Sequence, residues 1–189
     1  MSSSLYLGLV HHPVMNKRGE TVATSVTNLD IHDIARSCRT FGVKNYFIIT
    51  PIQLQHELVG RILGHWDKDE SALYNPDRKD ALSHVVIVNS VEEAMQNIEK
   101  LEEKKPMCVV TGAGFKSFDG DAKALKDKMN LDKIPCLVLF GTGWGLHASI
   151  VESADFRLGP ISGAAEDGYN HLSVRSAVAI YLDRIRGSL

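Results

Sequence analysis

The sequence predicts an α/β fold, a mostly parallel sheet with helices on both faces. Two observations point there: short apolar runs rich in β-branched residues recur along the chain, and longer stretches of helical periodicity separate them, as in strands joined by crossover helices. A third sets the scale. With 189 residues, 44% of them hydrophobic, the chain can bury one sizeable core but is short for two, so a single domain over residues 1–189 is expected.

The elements follow in order. Leu5–Val10 reads as a mostly buried strand, and His11–Thr27 as an irregular polar segment with local positive charge at Lys17 and Arg18. Asp30–Phe41 places Ile31, Ile34, Ala35 and Cys38 on one helical face. Tyr46–Ile49 is a strand, Gln53–Leu63 a helix, and Gly64–Arg78, with Trp66, Asn75 and Pro76 among many charges, a second irregular stretch. Strand Val85–Val88 precedes Ser90, which stands before helix Val91–Lys104 with Glu93 at capping-box spacing. Strand Cys108–Thr111, helix Asp121–Met129, strand Cys136–Phe140 and a short strand at Phe156–Leu158 complete the alternation. The last helix, Leu172–Ile185, carries an apolar stripe of Val174, Ala177, Val178 and Tyr181 and is apolar around much of its circumference. Such a helix packs against several neighbours or against a second subunit, so a homodimer is expected.

Composition narrows the function classes. Lys and Arg number 21 against 23 Asp and Glu, so no global field attracts phosphate backbones and any nucleic-acid contact must be a local patch. Cys38, Cys108 and Cys136 are widely spaced and form no metal-ligand pattern with the eight histidines; they read as buried thiols of a reducing cytoplasm, and no metal is expected. The start lacks a basic leader region and no run of roughly 18 apolar residues occurs, so neither secretion nor a membrane span is expected.

Chemistry concentrates in the last third. Cys136-Leu-Val-Leu-Phe-Gly141-Thr-Gly-Trp-Gly-Leu146 is an apolar strand entering a turn with glycines at alternate positions, where main-chain N–H groups can approach a nucleotide or adenosyl ligand; a plain strand-to-helix turn reads equally well. A dinucleotide fingerprint is excluded because Leu146 stands where its third glycine belongs. Thr111-Gly-Ala-Gly-Phe-Lys116 lacks the spacing of a phosphate loop. His11 and His12, at the end of the first strand, have no matching ligand cluster, and Trp66, Tyr74 and Trp144 are base-stacking candidates that as isolated aromatics more often pack.

Gly159-Pro-Ile161-Ser-Gly163, a small acidic loop, and Tyr169-Asn-His171-Leu172-Ser173-Val-Arg-Ser-Ala177 resemble the closing motif of the SPOUT superfamily of knotted RNA methyltransferases, in its small stand-alone TrmD/SpoU-like branch, with Ser173 in place of the usual asparagine and His171 in place of serine. Gly141, Thr142 and Leu146 match the preceding loop, where Gly143 stands in place of a common glutamate; Val109–Thr111 with Gly112 resembles the first knot loop. Asp30-Ile-His-Asp-Ile-Ala-Arg36, followed by Phe41-Gly42, resembles the SpoU-type motif in which an asparagine precedes an arginine, here with Asp30 in the asparagine's place.

The resemblance implies a C-terminal trefoil knot, S-adenosylmethionine as methyl donor and RNA, tRNA or rRNA, as acceptor, with a homodimer formed through the last helix and the knot. It implies donor contacts at Thr111, Gly112, Gly141, Thr142, Gly143, Leu146, Ile161, Gly163, His171, Leu172 and Ser173. Arg36 falls on the arginine that activates the acceptor or holds its phosphate, and Glu166, Asp167, Asp30 and Asp33 are candidate bases. The segment Pro13–Thr27 is a candidate clamp on RNA phosphates. A non-catalytic module that binds the donor or RNA and assists a partner enzyme is the alternative, and a nucleotide-binding protein unrelated to RNA a third.

Overall fold

The computed structural model describes residues 3–67 and 75–188. Six strands form one all-parallel sheet in the order β5-β4-β1-β7-β6-β8: β1 Leu5–Val10, β4 Tyr46–Ile49, β5 Val85–Val88, β6 Met107–Val110, β7 Cys136–Gly141 and β8 Phe156–Arg157. A separate antiparallel ribbon pairs β2 Val14–Met15 with β3 Thr21–Val22. The helices are α1 Asn28–Thr40, α2 Gln53–Asp67, α3 Pro76–Leu82, α4 Val91–Glu102, α5 Ala122–Asp132, α6 Ala148–Glu152 and α7 Val174–Arg186. None of the described helices is long and apolar enough to cross a membrane.

The two-residue period of the strands divides the core in two. Leu5, Leu7 and Leu9 of β1 join Cys136, Val138 and Phe140 of β7 in a cluster with Ile31 and Ile34 of α1, Leu125 of α5 and Val178 and Leu182 of α7. Tyr6 and Val10, with Leu137 and Leu139, meet Ala94 and Ile98 of α4 and Ile150 of α6 on the other face. Both faces are covered, so β1, β4 and β6 are buried along their whole length, as parallel sheets require. The apolar runs report that double burial.

Helix starts follow the sequence signals. Thr27, Ser90, Asp121 and Ser173 each accept a backbone N–H three residues on from their side chains. At α4 the reach-back differs from a capping box: the Glu93 carboxylate accepts the N–H and side-chain amide of Asn89, at 2.7 and 2.8 Å, and those bonds hold its pKa below the usual carboxylate value.

Both segments expected to be irregular contain regular structure. In Gly64–Arg78, α2 runs on to Asp67 because Ile62, Leu63 and Trp66 pack against the core and outweigh Gly64, while α3 opens at Pro76 with Asn75 as its cap; Tyr74 lies outside the described residues. In His11–Thr27, the ribbon turns on Asn16, whose side-chain carbonyl accepts from Arg18 and Glu20 N–H groups. Helix α6, five residues long, is too short to show a period.

Candidate active site

Register fixes where the site lies. Strand β1 pairs with β7 from Leu5↔Cys136 to Val10↔Gly141, so His11 and Thr142 leave the sheet side by side at its C-terminal edge. The chain proceeds from β1 to β4 and β5 on one side, while β7 returns to the other side, next to β6. Such a reversal leaves a crevice at the carboxyl ends of the strands. A cavity of about 1140 Å³ opens there.

One wall is mostly backbone. A side chain at Gly141 would place its Cβ 2.6 Å from the Leu146 nitrogen, and Gly143 and Gly145 have φ of +60° and +107°, so the loop closes on itself only with glycine at these positions. Thr111 at the end of β6 donates its hydroxyl to the Leu139 carbonyl at 3.0 Å, and Gly112 lies so close to Phe115 that a Cβ there would meet the ring at 2.6 Å. Buried Leu146 and Ile161 supply apolar surface. The Gly159–Ile161 turn is fixed by the Tyr181 hydroxyl, which donates to the Gly159 carbonyl at 2.8 Å. His171, Leu172 and Ser173 complete this wall at the start of α7.

The ribbon is fastened to that wall rather than free. Met15 N–H donates to the Gly145 carbonyl at 2.9 Å, Trp144 N–H donates to the Met15 carbonyl at 3.0 Å, and Val14 bridges Leu146 antiparallel. The segment expected as a clamp on RNA phosphates is thus held against the glycine loop, and its last residues deliver Thr24, Ser25 and Thr27 to the cavity.

Polar side chains form the opposite side in two groups, with Thr24, Thr27, Asp30 and Arg175 lining the cavity and His11 buried behind them. In the first, Thr142 donates its hydroxyl to the Val10 carbonyl at 3.0 Å, so its oxygen accepts from the Thr24 hydroxyl at 2.5 Å. Thr24 has then spent its proton and accepts from His11 Nδ1–H at 3.0 Å. The chain of bonds thus assigns the His11 tautomer and leaves Nε2, fully buried and without a partner among the described residues, as a bare acceptor. Burial pushes the His11 pKa down to about 4, against opposing pulls from Asp30 and Thr24, so the ring is neutral at pH 7.

In the second group, Asp30 is 5% exposed. One carboxylate oxygen accepts from Arg175 Nη1 at 2.6 Å and the other from the Thr27 hydroxyl at 2.6 Å, while Asp33 approaches Arg175 at 3.6 Å. Helices α1 and α7 pack together and bring these groups across 145 residues of sequence.

Of the residues singled out from sequence, Thr111, Gly112, Gly141, Thr142, Gly143, Leu146, Ile161, His171, Leu172, Ser173 and Asp30 all line this one cavity. Gly163, Glu166 and Asp167 do not line it; the two acids are exposed on a turn whose next residue, Gly168, does. Arg36 stands on the exposed face of α1, away from the cavity wall. The guanidinium that reaches the cavity is that of Arg175, which sequence reasoning passed over because nothing local distinguishes it from other helix arginines. Thr24 and Thr27 were missed too, although the N-cap spacing of Thr27 to Asp30 was available as a signal.

Residues 4–187 match the model of a family described as SAM-dependent RNA methyltransferase. A protein of Oleidesulfovibrio alaskensis named tRNA (guanine-N(1)-)-methyltransferase is 45% identical over 97% of this chain and 42% of its own length. The chain thus spans about two fifths of that relative. An uncharacterized protein of Aquifex aeolicus is 34% identical over 98% of this chain and 89% of its own. Among solved structures, a probable methyltransferase from Bordetella pertussis superposes with a TM-score of 0.64 at 13% identity, covering 97% of this chain and 95% of that one. A SpoU methyltransferase from Streptomyces viridochromogenes, solved with AdoMet, gives 0.57 at 17% identity, covering 98% of this chain and 57% of that one. At these identities the structural likeness concerns the fold.

Proposed function

Because the chain belongs to the family of SAM-dependent RNA methyltransferases, we propose that its cavity holds S-adenosylmethionine against the glycine wall and presents a tRNA nucleotide to the polar wall. The observation that carries this reading is the convergence of three distant segments, Thr111–Gly112, Gly141–Leu146 and Ile161–Ser173, on one backbone-lined cavity. The group fits: Gly112 and Gly141 keep their loops folded tightly so that main chain lines the cavity, Leu146, Ile161, Leu172 and Ala177 offer an apolar bed for an adenine, and the volume leaves room for an acceptor. Relatives named as tRNA methyltransferases support tRNA as the acceptor and do not favour a non-catalytic module.

The donor supplies a methyl group already activated on a sulfonium, so the protein's work is alignment and, where the acceptor atom carries a hydrogen, removal of that proton. With the donor bound, Asp30 would take the acceptor's proton on a carboxylate oxygen, the methyl carbon passing from sulfur to the acceptor and the donor leaving as a neutral thioether. Arg175 and Thr27 hold that carboxylate in place from either side. Thr24 and Thr142, locked by His11, keep the two walls in register. Glu166 and Asp167 stand on the exposed turn just before Gly168, which lines the cavity.

In this reading the C-terminal third is tied as the SPOUT trefoil knot, the chain is one domain over residues 1–189, it pairs as a homodimer through α7 and the knot, and it works in the cytoplasm. The resemblance of the loop motifs and the likeness to SpoU folds support the knot. Calorimetry tests the donor: S-adenosylmethionine and S-adenosylhomocysteine should each bind with one site per chain. Absence of heat and of thermal stabilisation with both overturns the proposal.

A further inference from the structure

Helices α1, α2 and α3 bring together a second constellation that the reaction above does not use. Trp66 of α2 packs its inner side on the core, and the Arg78 guanidinium of α3 stacks over its ring at 4.7 Å. His32 of α1 and His65 of α2 meet the same ring edge-on, with centroids 5.7 and 5.5 Å away. Arg36, one turn beyond His32, adds a further exposed cation, as does Arg61, one turn before His65.

The charges here are arranged differently from those nearby. Arg39 pairs with Asp80, Lys79 with Asp67, and Arg175 with Asp30 and Asp33. Arg36, Arg61 and Arg78 have no carboxylate in ion-pair range among the described residues. Burial first, then the fields of Arg78 and Arg36 against an opposing pull from Asp33, hold the His32 pKa below its ordinary value. Arg78 Nε and His32 Nδ1 are buried without a hydrogen-bond partner among the described residues. Arg78, half-buried with its Nε desolvated, and the exposed Arg36 and Arg61 form a positive patch without a paired carboxylate among the described residues, and such a patch attracts an anion.

Position selects the anion. Helix α1 carries Asp30 in the cavity wall and Arg36 six residues on, ~9 Å along its axis. Arg36 lies on a different side of α1 from Asp30, so a strand with one nucleotide in the cavity would have to bend round α1 for its neighbouring phosphates to reach α2 and α3. The chain's overall charge is −2, so phosphate attraction must come from a patch of this kind.

We infer that Trp66, Arg78, His32 and Arg36 form the docking surface for the sugar-phosphate backbone flanking the acceptor nucleotide of the RNA. Trp66 sets the plane of the Arg78 guanidinium, which engages a phosphate as a fixed fork; Arg36 contacts the next phosphate as a mobile cation. The inference rests on the RNA methyltransferase reading but concerns different residues.

The test uses the full chain and a fluorescein-labelled, in vitro transcribed tRNA, followed by anisotropy at several salt concentrations. The variants Arg36→Gln and Arg78→Glu should each weaken binding by about 5- to 10-fold, and each should lower the salt slope by about 1. Calorimetric binding of S-adenosylmethionine should stay within 2-fold of wild type. Because Arg78 packs on Trp66, Arg36→Gln serves as the variant that leaves the fold alone. RNA affinity and salt slope unchanged in both variants overturns the docking surface while leaving the methyltransferase reading intact. Loss of donor binding together with RNA binding also overturns it, by making the cluster structural. A poly-glutamate peptide that competes as well as unlabelled tRNA assigns the face to an acidic protein instead. Wild-type protein that binds donor but no tRNA defeats both the inference and the acceptor reading.

Discussion

The two walls of the cavity are built from different materials. The glycine wall is made of main chain: Gly141, Gly143 and Gly145 are where they are because a Cβ would collide or a positive φ would strain. The polar wall is made of side chains from distant segments, with His11, Thr24 and Thr142 in one chain of hydrogen bonds and Thr27, Asp30 and Arg175 in another. A ligand of constant chemistry can be held by backbone geometry, which leaves an imprint in local sequence. A variable acceptor and its proton need side chains, and their meeting is a property of the packing of α1 on α7.

That contrast can be broken experimentally. The largest effect should come from Asp30→Asn, which removes a proton acceptor from the polar wall and leaves the glycine wall alone: turnover should fall by about 10²- to 10⁴-fold while donor affinity, read by calorimetry, stays within 2-fold. Equal loss of both would mean the walls do not divide the work. Next is Gly143→Val, which forces a β-branched residue into φ of +60° with the Met15 carbonyl 3.1 Å from the new Cβ. Donor affinity should drop about 1000-fold, or ~4 kcal/mol, with the far-ultraviolet spectrum of the protein preserved.

How much of this was legible in the sequence follows the same division. Strands β1, β4, β5 and β7 could be read because double burial writes continuous apolar runs, and α1 and α4 because one buried face writes a helical period. The glycine-wall residues could be read from local motifs. Arg175 could not, since only its 2.6 Å bond to a residue 145 positions away gives it a role. Arg36 shows the reverse case: its spacing matched a motif, yet the helix turns it to the exposed side, away from buried Ile34 and Ala35 and from the cavity. The ribbon at Val14–Val22 was unreadable because its strands are two residues long and its partners, Trp144 to Leu146, lie far along the chain.

A smaller effect tests the coupling of the walls through His11. Its folded pKa, about 4, lies below the ordinary value of 6.5, so the unfolded chain binds more protons in that interval. Its contribution to stability is therefore fully present above pH 6.5, declines as pH falls towards 4, and changes no further below that. The wild-type protein should lose on the order of 3 kcal/mol across this window relative to His11→Gln, measured by urea unfolding at each pH. Parallel curves would mean that the ring is not held neutral by its burial. The smallest effect belongs to a pair remote from both walls: Arg39→Ala, which breaks the exposed contact with Asp80, should cost under about 1 kcal/mol and leave turnover unchanged.

The most direct test of the whole account is transfer of the methyl group from methyl-labelled S-adenosylmethionine into unmodified tRNA transcripts. Wild-type protein should label the RNA, and Asp30→Asn, with the donor bound as tightly, should label it at least about 100-fold more slowly. A wild-type chain that binds the donor yet labels no tRNA would contradict the assignment of the polar wall to a tRNA acceptor, and undiminished labelling by Asp30→Asn would remove Asp30 from the reaction.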